Sequence, residues 1–242
     1  MSGTAGAGRD ERLMTPAFLG ISASVLGFFV ASGMFLPATP RFTAGPLGGN
    51  DLAVGLVVGS FSISSLILRP FAGRWADQRG RRVMLIVGAA LQVVAAAGHL
   101  VADSVIPLVL MRLLLGAAEA IFFVGGMAAA TDLAPERRRG EAISLISTSL
   151  YLGVAVGPVL AEWLYGVSGY TAIWIGATAI SVAAVAISWV APETLPPSPV
   201  ARPLITSTPV HALPPLRSWH APPARHAPHR RRSPPIALHS TG

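Results

Sequence analysis

Gly73-Arg74-Trp75-Ala76-Asp77-Gln78-Arg79-Gly80-Arg81-Arg82 stands between two long apolar runs, and its reading decides the fold. With Arg69 just upstream it gathers five arginines and one carboxylate into a short hinge. So dense a cluster belongs where water and anionic headgroups meet the end of a membrane helix. Short arginine-rich loops stay on the cytoplasmic side of a bilayer, so the stretch also sets an orientation. Composition excludes a soluble domain: 52% of the residues are hydrophobic and 12% charged, against about a quarter charged in soluble proteins.

Outward from this stretch, six apolar segments cover roughly residues 16–38, 52–70, 83–101, 105–131, 142–165 and 171–190. Each is near or above the roughly 20 residues that a helix needs to cross a hydrocarbon core. Pro16 suits a first helical turn, and Asn50 with Asp51 offers an N-cap to the second helix. No ten-residue segment alternates with period two, which excludes a membrane β-barrel. The expected fold is all-α: a polytopic membrane protein with six transmembrane helices and a disordered tail.

The loops repeat the orientation. Arg9 and Arg12 precede the first helix, Arg69 to Arg82 separate the second and third, and Arg137, Arg138 and Arg139 separate the fourth and fifth. The other loops hold Arg41 with Asp51, then Asp103, then the uncharged stretch 166–170. Every second loop is basic, as a six-helix bundle with both termini in the cytoplasm requires. Residues 1–12 form a polar cytoplasmic segment, and the apolar run after them is too long for a signal-peptide core. All 18 basic residues are arginine, and cysteine is absent, so disulfides and thiolate sites are excluded.

Past Glu193 the chain changes character. Residues 194–242 hold 12 of the 21 prolines, five of the six histidines, six arginines and no acid. Such a composition cannot bury enough apolar surface to fold, so 196–242 is expected to be a disordered Pro/Arg/His-rich tail. Two readings of it stay open. One is a basic tail drawn to cytoplasmic headgroups; the other is an out-of-frame product of GC-rich coding sequence. No histidine pair has metal-ligand spacing.

Gly73, Ala76, Asp77, Gly80, Arg81 and Arg82 reproduce the G-x-L-A-D-R-x-G-R-R loop between the second and third helices of major facilitator superfamily transporters, with Trp75 in place of Leu. Leu108-x-x-x-Arg112-x-x-x-Gly116 resembles the fourth-helix pattern l-x-x-x-R-x-x-q-G, with Leu115 in place of Gln. Gly153-x-x-x-Gly157-Pro158-x-x-Ala161-Glu162 resembles the G-x-x-x-G-P-x-x-G-G signature of efflux members, with Ala161-Glu162 in place of Gly-Gly. Residues 13–195 thus resemble the N-terminal six-helix half of the twelve-helix fold. The resemblance implies alternating access, with a substrate site between two pseudo-symmetric halves near the midplane.

The same residues carry physical roles. Arg112 and Glu119 are two turns apart on one helix face, and translocon scales put a charge at a helix centre at roughly 2.5 to 3.5 kcal/mol. Both are expected to face the bundle interior, as a proton or substrate pathway, with Glu162 near the outer end as a reserve. Gly153, Gly157 and Ala161 recur every four residues, a stripe on which another helix backbone can lie, and Pro158 permits a kink. The resemblance assigns gating to the loop residues Gly73, Asp77, Gly80, Arg81 and Arg82. His99 beside Asp103 reads as a solvated helix end; Ser22, Ser24, Ser32, Ser62, Ser64 and Ser65 could line a cavity, with bonding back to their own helix the commoner arrangement.

No P-loop, metal cluster or nucleophile triad is present, so no enzyme, cofactor or metal is expected. The implied function is secondary, proton-coupled export of a small organic molecule across the plasma membrane. Sugar or metabolite uptake is the alternative within the family. The chain is expected to be a truncated half, inactive alone or working as a homodimer. A different class, a non-transporting membrane fragment with a lipid-binding tail, stays open. Nucleic acid is not an expected partner, because cytoplasmic loops account for most of the positive charge.

Overall fold

A computed structural model describes residues 13–190. The expected N-terminal segment 1–12, the end of the six-helix unit at 191–195 and the tail 196–242 lie outside the described residues.

Five α-helices account for nearly all of that span, with no strand among the described residues. Helix α1, Pro16–Ala44, starts at Thr15, whose hydroxyl accepts from the Phe18 amide at 3.2 Å, with Pro16 in the first turn. It runs through Pro37 and Pro40, six residues past the expected end, and Gly45 closes it on the Arg41 carbonyl at 2.9 Å. Helix α2, Asp51–Arg79, is capped by the Asn50 side chain on the Ala53 amide at 3.0 Å.

The largest departure from expectation is here. Residues 73–79 are not a hinge; they are the last two turns of α2. Their charges end an apolar window, yet nothing in them ends a helix until Gly80. That glycine has φ 93°, where a side chain would be strained, and it is the whole turn into α3, Arg81–Gly98.

Helix α4, Val105–Leu133, leads through a 3-10 turn, Glu136–Arg138, into α5, Arg139–Val190. At about 1.5 Å per residue the 52 residues of α5 would extend far beyond a roughly 30 Å hydrocarbon core. The helix is in fact interrupted at Ser168 (φ −154°, ψ 34°) and Gly169 (φ 64°, ψ −150°). Along α1, Leu26 and Gly33 meet Gly153 and Gly157, whereas Ser24 and Met34 meet Ser188 and Gly176. The first arm, 139–167, therefore runs parallel to α1 and the second, 170–190, antiparallel.

All five helices are long and apolar enough to cross a membrane. Helix α1 packs between the arms of α5, while α4 packs on α2 and α3. The core is aromatic at two levels. Phe28 of α1 stacks on Phe122 of α4 at 4.0 Å, and Phe35 stacks on Trp174 at 5.4 Å, with His99 tilted against both. The two levels tie α1 to α4 and to the second arm of α5 respectively.

Candidate functional site

Glu119 is the central residue of α4, and Ser65 is the central residue of α2. The Ser65 hydroxyl donates to one carboxylate oxygen of Glu119. The other oxygen accepts from an Arg69 guanidinium nitrogen at 3.0 Å. Glu119 is buried, whereas the Arg69 side chain is 46% exposed and its guanidinium lies 5.1 Å over the Phe123 ring. The buried carboxylate, central in α4, is thus held by one neutral donor and by one half-exposed cation.

Arg112 is also buried, and it does not join this group. Seven residues along an α-helix is about 10 Å, and Arg112 occupies the layer nearer the start of α4. Its Nε donates weakly to the Val57 carbonyl at 3.4 Å, and its guanidinium lies 4.9 Å over the Phe61 ring. Among the described residues it makes no ion pair. The structure therefore gives Glu119 a cation, but from Arg69 on another helix.

The arginine-rich end forms a second group. Arg81 is buried at the start of α3, where its Nε donates to Asp132 of α4 at 2.8 Å. Another of its nitrogens donates to the Ala76 carbonyl at 2.8 Å, and a third lies 3.4 Å from Asp77. Asp77 is 77% exposed, so most of its carboxylate remains open to a further partner. Arg82 donates to the Trp189 carbonyl in the last turn of α5. One guanidinium thus ties α2, α3 and α4 together, and its neighbour reaches α5.

Gly153 and Gly157 lie against α1. A Cβ on Gly157 would fall 2.6 Å from the Gly33 Cα and the Val30 carbonyl oxygen, and one on Gly153 2.8 Å from the Leu26 carbonyl oxygen. Ala161 is buried in the same interface, Pro158 half-buried. Glu162 is at the opposite end of the bundle from Arg81, half exposed, and ion-paired with Arg41 of α1.

Four partners escaped the sequence reading: Arg69 and Ser65 for Glu119, Asp132 for Arg81, and Arg41 for Glu162. The Ser65-x-x-x-Arg69 spacing does place both on one α2 face. A lone intramembrane carboxylate demands such a partner, so this signal was available. Asp132 carries no comparable mark.

The sequence profile of the Major Facilitator Superfamily matches residues 21–237. Multidrug resistance protein 1 of Bacillus subtilis is 30% identical over 136 residues, covering 56% of this chain and 35% of that protein. Quinolone resistance protein NorA of Staphylococcus aureus is 27% identical over 164 residues, covering 66% of this chain and 42% of that protein. The crystal structure of the human organic anion transporter TETRAN superposes with a TM-score of 0.65 at 20% identity, covering 76% of this chain and 49% of that one. That last likeness concerns the fold, and the chain spans less than half the length of each of these three proteins. With an apolar helical bundle, two motif-bearing ion clusters and a profile match over most of its residues, this chain belongs to the Major Facilitator Superfamily, a family of multi-pass membrane transporters.

Proposed function

We propose that this chain takes part in proton-coupled export of a small organic molecule across the plasma membrane, with Glu119 as the proton carrier. The observation that carries the reading is the buried midplane carboxylate shared between Ser65 and Arg69. Burial favours the neutral form of a carboxyl, and a neighbouring cation favours the charged form. In this proposal the Arg69–Glu119 pair opens and re-forms as the carrier cycles. Arg69 is suited to this because half of its side chain already meets solvent.

The antiparallel arms of α5 support six crossings, with both termini and the Arg81 cluster on the cytoplasmic side. There Asp77 and Arg81 act in gating, the exposed Asp77 carboxylate engaging a second bundle across the pathway. The glycine stripe of α5 holds α1 in the wall of that pathway, and Arg112 and Glu162 serve the layers nearer the outer face. Six-helix bundles of this kind operate in pairs about an axis along the membrane normal. A second copy of this chain in the pairing position is part of the proposal. The names of the bacterial relatives, multidrug and quinolone resistance, support a drug-like organic substrate over sugar uptake.

Transport in proteoliposomes under an imposed proton gradient tests this reading. Glu119→Gln should abolish gradient-driven movement of a fluorescent drug while leaving substrate exchange at zero gradient largely intact. Undiminished gradient-driven export by that variant eliminates Glu119 as the carrier.

A further inference from the structure

A cavity of about 470 Å³ opens on the outward face of α2 near the arginine-rich end, where Ile121 of α4 also lines it. Its α2 wall is Leu68, Phe71 and Trp75, which recur at three- and four-residue spacing and so share one helix face. Ala72, Arg74 and Gln78 complete it. The volume is within the roughly 300–1,000 Å³ typical of small-molecule sites. Phe71 and Trp75 stay 57% and 45% exposed, too much for residues completed by the bundle they belong to.

Charge and depth decide what fills it. Arg74 and Arg79 make no ion pair among the described residues, unlike Arg69 and Arg81 nearby. They stand on the last two turns of α2, beyond the apolar window, at the level where a bilayer presents its headgroups. A tryptophan beside them matches the aromatic belt of membrane helices. A packed helix would bury two cations without supplying acids. A phospholipid supplies apolar chain below and phosphate at the required depth, and basic pockets between membrane helices bind such headgroups.

We propose that this groove is a binding site for one anionic phospholipid, its acyl chain along Phe71, Trp75 and Ile121 and its phosphate on Arg74. Gln78, one turn beyond Arg74, donates to the remaining headgroup oxygens. The site is distinct from the Glu119 group, which is bonded to Ser65 and Arg69, neither of which lines the groove.

Trp75 is itself the reporter. The full chain is placed in phosphatidylcholine vesicles carrying brominated phosphatidylglycerol or, separately, brominated phosphatidylcholine at the same mole fraction. The Trp75 signal is the fluorescence difference between the native chain and Trp75→Phe. Brominated phosphatidylglycerol should quench that signal at severalfold lower mole fraction. Arg74→Gln should reduce the preference by roughly fivefold, the factor equivalent to about 1 kcal/mol for one arginine at an anionic surface. Arg74→Lys should retain it, which separates loss of charge from loss of fold. Equal quenching by the two lipids, or an unchanged preference in Arg74→Gln, overturns the proposal. So does absence of quenching by either, since the face would then be covered by protein.

Discussion

Replacing Gly157 by alanine adds one methyl group where α1 and α5 touch backbone to backbone. The new Cβ would lie 2.6 Å from the Cα and carbonyl carbon of Gly33 and from the Val30 carbonyl oxygen. Carbon atoms settle at about 3.5 to 4.0 Å, so the two helices must part locally by about 1 Å. No side chain can rotate away, because the obstacle is main chain. Overpacking of this kind costs typically 1 to 3 kcal/mol, and backbone contact puts Gly157→Ala at about 2 to 3 kcal/mol. The opposing gain from glycine to alanine in a helix is only about 0.5 to 1 kcal/mol.

The neighbouring glycines grade the same effect. Gly153→Ala meets the Leu26 carbonyl oxygen at 2.8 Å and should cost slightly less. Gly33→Ala meets its neighbours at 3.0 to 3.2 Å and should fall near neutral, at within about 1 kcal/mol, while Gly59→Ala meets nothing within 4 Å and should stabilise. Thermal unfolding in one detergent, followed by fluorescence of the buried Trp174, reads the series. With roughly 2 to 4 °C per kcal/mol for a chain of this size, Gly157→Ala should lower the apparent Tm by about 4 to 12 °C. If Gly157→Ala and Gly59→Ala melt together, the α1–α5 contact is not as close as described, and the reasoning fails.

Three further outcomes follow from the ion clusters. Asp132→Asn should destabilise the chain by about 1 to 2 kcal/mol, since it weakens a 2.8 Å charged bond to buried Arg81. Asp77→Asn should cost under about 1 kcal/mol, because its 3.4 Å contact is largely solvated, while weakening cytoplasmic closure in transport assays. Thermal melts of both variants check the ranking, and an equal loss would contradict it. Glu162→Gln should change stability by less than about 1 kcal/mol, as both partners of its ion pair are half exposed or more; a severe loss in the same melts would place Glu162 in the bundle's machinery. Cysteine introduced at Asp103 should react with an impermeant reagent from the outer side, and at Gln78 only after permeabilisation; the reverse pattern would invert the topology.

Helix positions and faces were legible because membrane insertion writes them as composition. Apolar runs gave the spans of the described helices, and the glycine stripe marked a close contact. Helix ends were less legible, for a physical reason. A hydropathy window stops at charge or proline, whereas a helix stops only where its backbone must turn. Hence α1 passes Pro40, and α2 carries three arginines, at 69, 74 and 79, up to its Gly80 turn, with Arg81 opening α3, so the charges surround a helix end rather than a flexible hinge. The break in α5 was legible: Ser168 and Gly169 fall inside the stretch 166–170 that separates the fifth and sixth apolar segments.

The Ser65-x-x-x-Arg69 spacing marked a candidate partner for a buried carboxylate, but which charges pair also depends on which helices adjoin and in what register. Gly116 supplies both. A Cβ there would fall 2.2 Å from the Phe61 carbonyl oxygen, so α2 and α4 meet at this point. One turn earlier on each helix, Arg112 reaches the Val57 carbonyl; about one turn later, Glu119 receives the Ser65 hydroxyl. The contacts advance together, 57 with 112, 61 with 116 and 65 with 119, so the two helices run parallel and in step. The glycine of the fourth-helix motif thus places a buried arginine and a buried carboxylate against successive turns of the same neighbour. The Gly116 contact lies between the two charges and sets the register that brings Glu119 to Ser65 and Arg69. The motif spells out the arginine and the glycine; only the close approach at Gly116 explains why they occur together.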